Sequence, residues 1–573
     1  MRIRAGHHGM VFRQSFAAVF SILLTSGVAA QTAPNAGQLL QQQPKPPGTA
    51  PAEPQQIQPA TPESPQGPQG PRILIKGFRI EGAVQVPASE LQNVLKGAIG
   101  HKLTLNQLRA LTYVITNYYV SKGYIARVIL PPQEIKDGIV LIRVIEGKRG
   151  SIKIDQKGTR IDDARVKGFI DQWLPKGAPF NLPQLGEALS ILNEQPGVKV
   201  KTSLAPGTEE AEINLDVLAI DQPLFSYGVG VNNEGSYATG RLQANGSIRL
   251  NNPTGHFDTA SLLVNKSQGS NYVRADYGLA VGNRGLRLGV NASYLDYHLI
   301  TSAFSVLDSK GTANTEGLSA SYPLARRLGF NLSLTGNYND QILVERTIAG
   351  ETNNLRDRAF NLGLSGYTVT PRLGGGVLSF GANVVAGNSD ERNATARATD
   401  TATRQAQGGF YKLTYNFGWL SGLPYGWNLN ATLHGQFAGD NLDSAQQISL
   451  GGPYGVRAYP VGEATGDEGW LFNLDVSRSL GQALTGHLFY DAGGIRLNHS
   501  LWSTWNASNS GQPNNYTLSG VGAGMDWRIA RSCLLTGSIA SPLGSNPGAD
   551  SNHHNVDGSG NSVRVWVALN AQF

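Results

Sequence analysis

Two regimes of hydrophobic spacing divide the chain. Between residues 72 and 219, apolar positions recur at the intervals of helix faces: Leu91, Val94 and Leu95; Leu108, Leu111 and Ile115; Val166, Phe169 and Ile170; Leu185, Leu189 and Leu192. Each pair of helices is preceded by a strand, at 73–80 and 151–154, and followed by two more. Residues 72–147 and 148–219 therefore read as one β-α-α-β-β pattern written twice. The repeat reaches the helix caps. Leu103-Thr104-Leu105-Asn106-Gln107-Leu108 lies over Phe180-Asn181-Leu182-Pro183-Gln184-Leu185, which sets Thr104 and Asn181 at N-caps with Gln107 and Gln184 as capping-box partners. From about Pro223 helical spacing gives way to alternation of period two, in stretches such as 242–250, 259–264, 331–338, 427–434 and 486–490, separated by Gly/Asn/Asp/Ser turns.

Alternation over that length predicts a transmembrane β-barrel from residue 220 to 573. The roughly 350 residues, at about 20 per strand and connection, make about 16 antiparallel strands. The last stretch is the most regular: Val563, Val565, Val567, Leu569, Ala571 and the terminal Phe573 share one face, and Arg564, Trp566, Asn570 and Gln572 the other. At the other end, Arg2, Arg4 and Arg13 precede an apolar run at 16–24, and Val28-Ala29-Ala30 precedes Gln31. Residues 1–30 read as a secretory signal peptide cleaved after Ala30. Residues 31–71 are a Gln/Pro-rich linker, in which only 36–42 is able to form a short helix.

Composition sharpens this picture. Charged residues are only 15% of the chain, yet beyond the leader no apolar run is long enough for a membrane helix, so a membrane crossing has to be made by strands. The single Cys533 excludes an internal disulfide framework and a cysteine metal site. A net charge of +6 is spread along the chain without a basic, aromatic-interleaved block, and nucleic acid is not an expected partner. Enzymatic signals are weak: Gly363-Leu364-Ser365-Gly366 is one residue short of a hydrolase elbow and reads as a glycine-rich turn. His553-His554 near Asp550 and Asp557 reads as a solvated loop, and Glu209-Glu210 as a hairpin turn. No catalytic, cofactor-binding or metal residue is expected, and no cofactor.

One stretch interrupts the alternation. Residues 449–466 begin Ser449-Leu450-Gly451-Gly452-Pro453-Tyr454-Gly455-Val456-Arg457-Ala458-Tyr459-Pro460, too rich in glycine and proline for helix or strand, with Arg457 its one permanent charge before Glu463. The tetrapeptide Val456-Arg457-Ala458-Tyr459 resembles the Val/Ile-Arg-Gly-Tyr/Phe loop motif of the two-partner secretion transporters (TpsB, the haemolysin-activator family), a branch of the BamA-like outer-membrane superfamily. A match to the family's partner motif Phe-x-Asp-x-Gly stands at Phe489, Asp491 and Gly493, with Phe489 and Asp491 on one side of a strand. The sequence departs from the family at Ala458, where glycine is usual. If the position needs positive φ, the loop tip is strained. The repeated units, with their Gly123-Tyr124 strand start and closing Ile142-Arg143-Val144-Ile145-Glu146-Gly147, resemble POTRA domains.

The resemblance, which covers residues 72–573, implies an outer-membrane protein of a Gram-negative bacterium. Its two POTRA domains would capture an unfolded exoprotein of TpsA type in the periplasm and pass it through the barrel to the surface. It implies that the Arg457 loop folds back into the barrel onto an acid of the inner wall. Asp491 and Asp475 are both open as partners. It further implies that 36–42 could plug the pore, and that Trp566 and Phe573 belong to the barrel-assembly signal. Periplasmic chaperones, the barrel-assembly machinery and outer-membrane lipids become expected partners. An insertase of other barrels, or a passive porin or adhesin, is the alternative.

Overall fold

The structure, a computed structural model, describes residues 33–44, 71–371, 375–506 and 511–573. The leader and most of the linker lie outside the described residues.

A short helix, α1 (Ala36–Gln41), comes first. Two small α+β units follow. The first contains β1 (Gly77–Glu81), α2 (Ala88–Leu95), α3 (Leu105–Ser121), β2 (Ala126–Ile129) and β3 (Ile139–Glu146); the second contains β4 (Lys148–Lys157), α4 (Asp163–Trp173), α5 (Leu182–Asn193), β5 (Val198–Pro206) and β6 (Glu212–Asp221). In both, the last strand is central, parallel to the first and antiparallel to the fourth element. The expected helix faces form the two cores: Leu91, Leu95, Leu108 and Ile115 in one, Val166, Phe169, Ile170, Leu185, Leu189 and Leu192 in the other. Thr104 and Gln107 make the full capping box, whereas Asn181 accepts from the Gln184 amide without the reciprocal bond, at the head of a helix that opens with Leu182 and Pro183. The strand expected at 73–80 is broken where Ile75 turns fully into the core, and Ile73–Leu74 pairs instead with Lys102–Leu103.

Sixteen antiparallel strands then close into a barrel. The first eight are β7 (Phe225–Asn232), β8 (Gln243–Asn251), β9 (Thr259–Lys266), β10 (Ser270–Val281), β11 (Leu286–His298), β12 (Lys310–Arg327), β13 (Phe330–Thr347) and β14 (Gly350–Thr370). The remaining eight are β15 (Gly376–Glu391), β16 (Gly408–Leu423), β17 (Trp427–Ala438), β18 (Glu468–Ser479), β19 (Leu484–Arg496), β20 (Asn515–Ala530), β21 (Cys533–Pro542) and β22 (Arg564–Gln572). Period-two sorting is plain on β14, where Arg358, Phe360, Leu362 and Leu364 are exposed outside while Leu355, Asp357 and Ala359 are buried within. Two sequence readings are corrected. Gly363 to Gly366 lie inside β14 rather than in a turn, and the missing side chain of Gly363 leaves room for Asn383 of the neighbouring strand, which a Cβ there would meet at 2.0 Å. A helix unannounced by the alternation, α6 (Ala394–Ala402), follows β15, capped by Asn393, whose side chain accepts two backbone N–H groups.

The second unit is seated on the barrel. Phe257, in the β8–β9 turn, is fully buried in that unit's core, edge-on to Phe169 at 5.7 Å and under the Arg165 guanidinium at 5.4 Å. Arg326, at the end of β12, donates to Glu194 at the end of α5, and its backbone N–H donates to Glu187. The barrel end bearing these turns is therefore fixed to the small units, and the 439–467 connection belongs to the opposite end.

Candidate functional site

The 439–467 connection turns back into the lumen. Its two arms pair antiparallel at Ile448–Ser449 and Thr465–Gly466, and the Val456 amide donates to the Leu450 carbonyl at 2.7 Å. Glycines permit the tightness: a Cβ on Gly455 would lie 2.0 Å from the Leu450 carbonyl oxygen, and one on Gly451 2.1 Å from that of Pro460. Leu450, Val456, Ala458 and Tyr459 are all buried, packed with Leu471, Phe489, Ile495, Tyr516 and Leu518 of the wall. The buried Tyr459 hydroxyl has no hydrogen-bond partner among the described residues, so a phenylalanine would fill the same space.

Arg457 has both of the acids left open by its sequence. Its Nε and Nη2 donate to the two oxygens of Asp491 at 2.8 and 2.7 Å, its backbone N–H donates to the same carboxylate at 3.1 Å, and Nη1 and Nη2 reach Asp475 at 3.0 and 3.2 Å. Asp491 is fully buried and Asp475 partly exposed. Asn473 completes the cluster, its Nδ2 donating to Asp491 and to the Gly455 carbonyl. The guanidinium carbon stands 3.5 Å from the centre of the Phe489 ring.

Each position of the wall motif thus has a physical use. Phe489 carries the cation on its face, Asp491 neutralises it, and Gly493 leaves room for the Leu450 side chain, which a Cβ there would meet at 3.0 Å. Ala458 is not strained, because its φ lies outside the left-handed region and its methyl group faces Gly520.

Of the two residues expected to belong to an assembly signal, Phe573 stays on the outer face of β22 and stacks on Tyr227 of β7 at 5.0 Å. Trp566 does not accompany it. It points inward, is buried, and donates from Nε1 to the Arg457 carbonyl at 2.8 Å. Alternation had set Trp566 on the face opposite Phe573, and that face is the lumen, where its bonding partner is the loop.

The short helix α1 also lies in the lumen. Asn35 and Gln38 form a capping box, Ala36 and Leu39 are buried against Leu263, Tyr272, Leu295, Tyr297 and Leu343, and the Ala36 amide donates to Glu345. Gln41 Nε2 donates to the carbonyls of Ser444 and Ala445, at the root of the loop. Sequence reading missed these links, and missed Asn473, Gly520 and the bond from Trp566 to the loop. The one signal in reach was Trp566 itself, an aromatic ring on the polar face of the last strand.

The sequence model of the family described as haemolysin secretion/activation protein ShlB/FhaC/HecB matches residues 211–526, and that of the ShlB-type POTRA domain matches residues 73–147. Among curated proteins the chain is similar to the heme/hemopexin transporter protein HuxB of Haemophilus influenzae, 28% identical over 494 residues covering 85% of this chain and 84% of HuxB. It is also similar to the outer membrane transporter CdiB of Escherichia coli, 25% identical over 78% of this chain and 75% of CdiB. The solved structure of CdiB from Escherichia coli superposes with a TM-score of 0.69 at 20% identity, covering 100% of both chains. A closed sixteen-stranded barrel with POTRA domains on one end, a loop arginine folded onto the wall and a family match over more than half its length identify the chain as a member of the ShlB/FhaC/HecB family of outer-membrane two-partner secretion transporters.

Proposed function

We propose that this transporter receives an unfolded exoprotein of TpsA type at its POTRA units and passes it as an extended chain through the lumen, from which the Arg457 loop and α1 withdraw. The observation that carries the reading is the fully buried Asp491 holding the tip of a loop that lies across the lumen. Such a pair resists loss of one partner, because an uncompensated buried charge costs about 3–5 kcal/mol, yet it can be exchanged as a unit for other contacts when a chain fills the space. The POTRA sheets support capture: each has its last strand central, leaving the outer edges of β1, β2, β4 and β5 for main-chain pairing that tolerates many client sequences. Delivery of the barrel itself by periplasmic chaperones and the assembly machinery fits the outward Phe573 at the end of β22. The reading requires no bond-breaking chemistry.

The test is secretion of the cognate exoprotein by cells carrying wild type, Arg457→Ala or a deletion of residues 72–147, with barrel insertion followed by heat-modifiable gel mobility. Both variants insert, and the exoprotein outside the cell falls at least about tenfold while it accumulates in the periplasm. Normal export with failure of other barrels to assemble would point to an insertase. A change in small-solute permeability alone would point to a porin.

A further inference from the structure

The joint between the first and last barrel strands has the shortest ladder in the wall. β7 and β22 share a ladder of five residue pairs, Gly228↔Gln572 to Asn232↔Ala568, extended at the near end by Tyr227 and Phe573, which exchange backbone bonds of 3.0 and 2.8 Å. Every other neighbouring pair of barrel strands has eight registered pairs or more. On the β7 side the registered ladder ends at Ala568, and past it, of the backbone, only the Asn233 N–H still donates, to the Val567 carbonyl at 3.2 Å. The Asn233 carboxamide continues from there, accepting from the Val567 amide at 2.8 Å and donating to the Val565 carbonyl at 2.9 Å. Farther out, Arg241 on the β7 side and Arg564 on β22 meet at the buried Asp557.

The loop touches both sides of this joint. On the β22 side, Trp566 Nε1 donates to the Arg457 carbonyl. On the β7 side, the Tyr454 hydroxyl donates to Glu234 at 3.0 Å, one residue beyond Asn233. Pro460 and Val461 of the loop border the same cleft as Asn233, Arg241 and Trp566. The carbonyl that Trp566 grips belongs to the residue whose guanidinium is locked to Asp491, so the loop tip joins β18, β19, β22 and the turn after β7 at once.

We propose that the Arg457 loop is a clasp across the β7–β22 seam, with Trp566 and Tyr454 as its positioning residues, so that displacement of the loop loosens the barrel's closing joint. The proposal deepens the transport reading, since it rests on loop displacement, but its test needs no client. A loosened seam exposes a strand edge at β22 and lets the lumen widen while an extended segment passes. Closure then re-forms when the loop returns.

The measurement is amide hydrogen exchange on the full-length protein in lipid bilayers, comparing wild type with Trp566→Phe, Tyr454→Phe and Arg457→Ala. Trp566→Phe keeps an aromatic ring, though a smaller one, and removes the donor, and Tyr454 is exposed; heat-modifiable mobility verifies that both variants fold. Each raises exchange in peptides of β7 and β22 by between about twofold and tenfold, the range that one net hydrogen bond commands, while β12 to β16 are unchanged. Arg457→Ala, which frees the whole tip, raises it further. A disulfide between Val231→Cys and Leu569→Cys, facing residues of the ladder, in a Cys533→Ser background suppresses the increase in all three. The clasp is refuted if the seam peptides exchange as in wild type in both Trp566→Phe and Tyr454→Phe, or if exchange rises evenly around the barrel, which marks general destabilisation. If the seam responds as expected but secretion does not depend on Arg457, the clasp stands and the transport role of the loop falls.

Discussion

Gly520 shows how single residues set the fit of the loop against the wall. A Cβ at Gly520 would stand 2.5 Å from the Ala458 methyl group, closer than two carbons tolerate, while its other close neighbour is a backbone carbonyl oxygen at 3.1 Å. The departure of Ala458 from the family's glycine is thus matched by an empty position on β20. Gly520→Ala alone lowers the temperature of the heat-modifiability transition, at a cost of about 1–3 kcal/mol, and adding Ala458→Gly recovers more than half of the loss. A double variant no more stable than the single would show that the two positions are not in steric exchange. The arginine stood out because charge is rare in its loop, and Asp491 was legible through the wall motif it resembles, with Asp475 left open beside it. The fit between Ala458 and Gly520, 62 positions apart in number, depends on barrel closure and leaves no local mark.

Among the elements, legibility followed length. The POTRA helices repeat their apolar faces over several turns and cap themselves, and the barrel strands repeat a period of two many times over. Both were readable in kind, although 331–338 stops nine residues before the end of β13 and 486–490 six before the end of β19. Helix α1 has six residues, too few to hold a helix in water without outside contacts, and its composition is that of the linker around it. Its stability comes from the lumen wall, which is assembled from strands far along the chain. Leu39 is the larger of the two buried residues that make this contact, with Ala36, so Leu39→Asp, an unpaired charge in an apolar setting, expels the helix. Planar-bilayer recordings of that variant show a conductance several-fold above wild type and equal to that of a deletion of residues 33–44. A conductance indistinguishable from wild type would mean that α1 is not the resting obstruction. Helix α6 was missed for a different reason: it lies in a loop whose threonines and alanines have no apolar period to read.

At the scale of the whole molecule, the wall is uneven and its foundation is shared. Strands β12 to β14 are 18, 18 and 21 residues long, well beyond the roughly 9–11 that cross a bilayer, whereas β7 and β22 have 8 and 9. The tall side stands opposite the loop's seam in function: it shelters α1, while the low side holds the joint. The foundation is the contact of the second POTRA unit with the barrel turns. Burial of Glu194 there pushes its carboxyl above the ordinary value of 4.5, against the opposing pull of Arg326. A carboxyl raised in the folded state binds its proton there more readily than in the unfolded chain. Stability therefore falls as pH rises from the ordinary value through the raised one, and is flat above it. Hydrogen exchange in α5, measured between about pH 4 and 7 and corrected for the intrinsic rate, shows that slope in wild type and loses it in Glu194→Gln. An unchanged slope in the variant would assign the titration elsewhere.

Phe257 gives that foundation a consequence for dissection and for descent. The ring is contributed by a barrel turn but completes the interior of a domain that ends before the barrel begins. A POTRA pair cut away at residue 222 takes with it a hollow shaped for a phenylalanine, and the barrel keeps the ring, now facing water. Neither piece is a finished module, so exchange of POTRA units between relatives has to carry this turn along with them.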